Sequence, residues 1–145
     1  MIIILSTGVL LLLKKDISWI QPATQKGSSK ELKVTFNDII NIVKKLPHVN
    51  LKNWEDINRL DIRPNKGIIK VRGNNNWEVQ LDSKTGEVLH IAERRSDIIE
   101  SIHDGSFFHK NIKLWVFLPM ALLLIILWIT GLYLFSSSYF KKKLK

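Results

Sequence analysis

The sequence has no cysteine. That single absence removes disulfides, thiolate metal sites, iron–sulfur clusters, covalently attached c-type haem and cysteine nucleophiles. No acidic residue precedes Asp16 or follows Asp104. There is no nucleophile elbow, no P-loop, no HExxH and no carboxylate pair at helical spacing in a credible cleft. No catalytic set is therefore visible, and the chain is not expected to be an enzyme. An aromatic platform or Gly-rich basic loop of the kind that binds RNA is also missing, so nucleic acid is not an expected partner.

What is present is basic and apolar in separate places. The 145 residues carry a formal net charge of +9, with four lysines in the last five residues, "KKKLK" (Lys141, Lys142, Lys143 and Lys145). The middle of the chain is only mildly basic. A lysine cluster beside an apolar run marks the cytoplasmic flank of a membrane helix.

"LWVFLPMALLLIILWITGLYLF", Leu114 to Phe135, has no charge over 22 residues. At about 1.5 Å per residue it is long enough to cross a bilayer. Trp115 at one end, and Tyr133 and Tyr139 at the other, suit the two headgroup levels. Pro119 falls in the first turns, where its missing N–H costs least. The lysines beyond place the C-terminus in the cytoplasm and the middle segment outside.

The opening run, "MIIILSTGVLLLL", is also uncharged and ends on Lys14 and Lys15. Thirteen residues are too few to span about 30 Å as an upright helix. The expectation is either a first membrane helix whose inner end is missing, or a short tilted or bilayer-thinning anchor. Thr7-Gly8 and Thr130-Gly131 are small-residue pairs of the kind that allow close helix contact.

Between the apolar runs the pattern is α+β. "DISWIQPATQKGSSKE" reads as an extended linker from its Pro, Gly and Ser content. "TFNDIINIVKKL" places Phe36, Ile39, Ile40, Val43 and Leu46 on one helical face, with Thr35 and Asp38 as a capping box and Pro47 beyond the end. "INRLDIR", "GIIKVRG", "NWEVQLD" and "GEVLHIAER" alternate as four strands separated by turns. One face carries Leu60, Ile62, Ile69, Val71, Trp77, Val79, Leu81, Leu89 and Ile91. The other carries Arg59, Asp61, Arg63, Lys70, Arg72, Glu78, Gln80 and Asp82, and is expected to face water. A short helix then starts near Ser96 and ends at Asp104-Gly105, with Phe107 and Phe108 at the membrane interface.

"WIQPATQKG", "LDIRPNKGIIKVR", "NNWEVQLDSKTGEVL", "RRSDIIESIHDGSFF" and "LWITGLYL" together, in this order, resemble the PepSY-associated transmembrane proteins of bacteria. The resemblance covers nearly the whole chain. It implies a PepSY domain, a helix packed on a small antiparallel sheet, held between membrane helices. The expected division is 1–15 first membrane helix, 16–34 linker, 35–109 extracytoplasmic PepSY-like domain, 112–136 second membrane helix and 137–145 basic cytoplasmic tail. In such proteins a basic, His-containing stretch precedes the first helix; it is absent here. Family members also imply two roles: a binding or accessory module acting on a protein or peptide partner, or an accessory subunit of membrane redox chemistry in iron or haem reduction and uptake.

Two sets of residues follow as candidates. Arg59, Arg63 and Arg72 on the charged sheet face are candidates for binding a partner. His103 and His109 flank "DGSFF" at the outer mouth of the second span and are candidates for holding haem, since histidine is its usual non-covalent ligand. His48 and His90 read as surface residues.

Overall fold

The computed structural model describes residues 2–143, without the side chains at 110, 113 and 138–143. Residues 144 and 145, and the side chains of Tyr139 and Lys141 to Lys143, thus lie outside the described residues. The chain forms two units: Val9–Ile99, and Met1–Gly8 together with Glu100–Lys145.

The larger unit is built on the expected meander. Strands β1 (Ile57–Arg63), β2 (Ile68–Gly73), β3 (Trp77–Asp82) and β4 (Val88–Glu93) pair antiparallel in the order β1-β2-β3-β4. Alternation puts Ile69, Val71, Val79 and Leu81 on one face, where all four are fully buried. They meet Ile39 and Val43 of helix α2 (Phe36–Lys44), and Val49 and Leu51 from the loop after it. Fully burying an aliphatic side chain stabilises by about 1.5–3 kcal/mol. Helix α2 begins as the sequence predicts: the Asp38 N–H donates to the Thr35 hydroxyl at 3.3 Å, and the Thr35 N–H donates to the Asp38 carboxylate at 2.9 Å. Phe36 departs from expectation. As the first helical residue it stands outside the core, exposed, with its ring edge-on to Trp54 at 6.2 Å.

The opposite face of the sheet does not meet water. Lys70, Glu78, Gln80 and Asp82 on it are all buried. The cover is the segment from Ile20 to Ser29, a strap laid across the charged side chains. Gln25 N–H donates to Gln80 Oε1 and Gln80 Nε2 donates to the Ala23 carbonyl, each at 2.9 Å. Gly27 N–H donates to the Lys66 carbonyl at 2.8 Å, and Ser28 N–H to Asp82. The contact is so close that a Cβ on Gly27 would lie 1.9 Å from the Gly67 carbonyl oxygen. Gly67 in turn has φ +66°, the left-handed conformation that ends the β1–β2 turn and favours glycine.

The strap's entry is fastened to the unit's exit. Ser96 N–H donates to the Ile20 carbonyl at 2.8 Å, and Ile20 is buried. Arg95 donates to the Trp19 carbonyl at 3.3 Å and stacks over the Trp19 ring at 4.9 Å.

Two helices cross from one unit to the other along the chain: α1 (Ile2–Leu12) and α3 (Ser96–His103). In the smaller unit, α4 (Lys110–Ile112) leads through a π-helical turn (Lys113–Phe117) into the long helix α5 (Leu118–Lys143). The wide turn sits immediately before Pro119, whose ring cannot fit a regular α-turn without losing a hydrogen bond. Leu114–Ser137 is apolar over 24 residues and none of its most apolar stretch is buried. Apolar α1 has 11 residues. A Cβ on Gly8 would lie 3.5 Å from the His103 ring, whereas among the described residues nothing lies within 4 Å of a Cβ on Gly131.

Candidate functional site

The charge cluster under the strap is organised around one carboxylate. β2 presents Lys70 and Arg72; the register sets Lys70 opposite Gln80 and Arg72 opposite Glu78 on β3. Lys70 Nζ and Gln80 Nε2 both donate to Glu78 Oε1 at 2.9 Å. Glu78 Oε2 lies 3.3 Å from Arg94 Nη1, which donates to it, and 3.3 Å from Arg72 Nε. The Arg72 contact is one of charge only, because the Nε–H is not aligned for a hydrogen bond. Arg94 is also tied to Asp97 at 2.7 Å. Burial outweighs the pairing at Lys70 and holds its ammonium below the usual lysine value. Arg72 is lowered too, by burial and then by the nearby Arg94 charge.

Asp82 closes one end of this face. Its carboxylate accepts the N–H groups of Ser28, Lys84 at 2.8 Å and Thr85 at 3.0 Å. The Ser28 bond, helped by those from Thr85 and Lys84, overrides desolvation and holds the group far below the usual carboxylate range.

The three candidate arginines occupy different environments. Arg59 is exposed on edge strand β1, next to an irregularity in the pairing between Ile57 and Arg59. Arg63 is half-buried and grips Asp61 through Nε and Nη2 at 3.0 and 2.7 Å. That bond holds the Asp61 carboxyl below its usual value. Arg72 is largely enclosed, with Glu78 on one side and Asp61 at 3.9 Å on the other.

The two candidate histidines each have a local partner at Nδ1. His103 Nδ1 lies 2.9 Å from the Thr7 hydroxyl, which itself sits 2.6 Å from the Ile3 carbonyl. With the hydroxyl hydrogen given to Ile3, the Thr7 oxygen is left to accept from His103 Nδ1–H. His109 Nδ1 accepts the Asn111 N–H at 3.1 Å at the start of α4. Among the described residues no group of three or more His, Cys, Asp or Glu is arranged to hold a metal ion. His48 is exposed as expected; His90 is half-buried, with Nδ1 enclosed.

Sequence reasoning missed Glu78, Gln80 and Lys70 as an enclosed cluster. The signal for it was the match of Lys70 and Arg72 with Glu78 and Gln80 across a short hairpin. The polar "QPATQKGSS" that supplies the remaining partners of Gln80 stands far away in sequence.

A family model described as the PepSY-associated TM region matches residues 1–144. No curated protein and no solved structure matches.

Proposed function

Because the chain belongs to the family of the PepSY-associated TM region, we propose that it is a non-enzymatic accessory module, fixed in the bacterial cytoplasmic membrane by α1 and α5. Its α+β unit faces outward and engages a protein or peptide partner. The carrying observation is α5: an apolar helix of spanning length with none of its most apolar stretch covered by protein needs lipid around it. The lysines after it favour a cytoplasmic C-terminus. The strap already fills most of the charged sheet face, so a partner has the β1 edge, with Arg59 exposed on it and Arg63 four residues further along.

The cysteine-free sequence makes the topology directly measurable. Single-cysteine variants Lys52→Cys and Lys142→Cys, expressed in cells and treated with a membrane-impermeant maleimide, report the two sides. Lys52→Cys should label once the outer face is reachable, and Lys142→Cys only after the cytoplasmic membrane is permeabilised. The reverse pattern, or equal labelling of both, would overturn the proposed arrangement.

A further inference from the structure

Where the strap leaves α1 it walls a cleft of about 360 Å³ against the β1–β2 turn. Lys15, Arg63 and Lys66 bring three positive charges to its lining, with Gln21 and Thr24, and among the described residues no carboxylate lines it. Asp61 occupies only Nε and Nη2 of Arg63. Nη1 is turned to the Thr24 hydroxyl at 3.5 Å, a long and weak contact. Gln21 has a buried amide oxygen with no partner among the described residues, an acceptor in want of a hydroxyl. Lys15 and Lys66 are exposed.

We infer that this cleft binds a phosphoryl oxyanion, supplied by the headgroup of an anionic phospholipid such as phosphatidylglycerol. Two exposed lysines, with the Nη1 edge of Arg63 that Asp61 leaves unoccupied, suit one phosphate. The unpartnered Gln21 oxygen suits a headgroup hydroxyl. Position along the chain supplies the lipid: Lys15 follows the last residue of α1 by three residues, so it lies within about 10 Å of the apolar helix end. That reach takes in the headgroup layer, about 5–8 Å deep on each side of a hydrocarbon core about 30 Å thick. This placement rests on α1 being membrane-embedded, as proposed above; the cleft's charge and shape do not.

The test titrates the full chain in a neutral detergent with dihexanoyl-phosphatidylglycerol, dihexanoyl-phosphatidylcholine and inorganic phosphate, followed by calorimetry. Saturable binding of the phosphatidylglycerol, but not the phosphatidylcholine, is expected. Lys15→Gln with Lys66→Gln should weaken it about 30-fold, from the usual contribution of a lysine at an anionic surface. The pair Lys15→Arg with Lys66→Arg should retain it, which separates loss of charge from loss of fold. Lys45→Gln with Lys52→Gln, equal in charge but on another surface, should leave it unchanged. Inorganic phosphate binding as tightly as the phospholipid would keep the oxyanion site and overturn the lipid as its source. Equal weakening by both Gln pairs, or no saturable binding, would overturn the site. The titration needs no bilayer, so its failure leaves the membrane reading standing, and a failed topology experiment leaves the cleft standing.

Discussion

Glu78 is the residue on which the enclosed face depends. Its two oxygens serve Lys70, Gln80 and Arg94 and neutralise Arg72. Glu78→Ala leaves three buried cations facing one another. Removing one partner from a buried ion pair costs about 3–5 kcal/mol, far more than the pair contributes over apolar residues of the same shape. Chemical denaturation of the variant should show a loss of that size; a loss below 1 kcal/mol would mean that water reaches the cluster. Asp82 adds a pH dependence. Its folded-state pKa is depressed by the bonds from Ser28, Thr85 and Lys84. The stability it contributes is therefore fully present above the unfolded aspartate value of about 4 and is lost as pH falls below it. Thermal melts should decline steadily below about pH 4, and Asp82→Asn should flatten that decline while lowering stability at neutral pH. A variant whose acid limb matches the parent protein would remove Asp82 from this role.

At the scale of elements, the strap shows what a sequence conveys and what it conceals. Its Pro, Gly and Ser content correctly reads as extended chain without helix or strand. Composition cannot say that extended chain is pinned, because the pinning groups are single side chains, Gln80 and Asp82, some 55 residues away. The strands and α2 were legible because their signals are local: alternation for Ile69, Val71, Val79 and Leu81, and a cap and 3/4 spacing for Thr35 to Val43. Alternation also separates faces without saying what covers each, and that is why Lys70 and Glu78 read as solvent-facing. Gly27 gives the element its test. Gly27→Ala drives a methyl group into the Gly67 carbonyl, which is backbone and cannot swing away. Overpacking of this kind costs about 1–3 kcal/mol. Amide exchange should rise at Gln25, Gly27 and Ser28 while Val71 and Val79 stay protected. Unchanged exchange at those three amides would show that the strap tolerates displacement.

For the whole molecule, two apolar segments and an α+β unit were evident from hydropathy alone, and the family match extends over nearly every residue. The candidate sites were less legible. His103 and His109 were paired by nearness in sequence, but α3 carries His103 to Thr7 while His109 serves the next turn. The three arginines were grouped by strand face, yet enclosure separates Arg72 from Arg59. Lys15 reads only as the basic end of an apolar run and Lys66 only as part of a turn; folding is what sets them around one cleft.

The bond between Ile20 and Ser96 has a mechanical consequence. Chain arriving from α1 and chain departing through α3 are fastened to each other within the larger unit, at Ile20 and Ser96. Tension between Val9 and Ile99 is carried first across that short bridge and the Arg95–Trp19 stack beside it. The sheet and most of the strap lie within the loop of chain that the bridge closes. The sheet and strap therefore keep their shape for as long as that bridge holds.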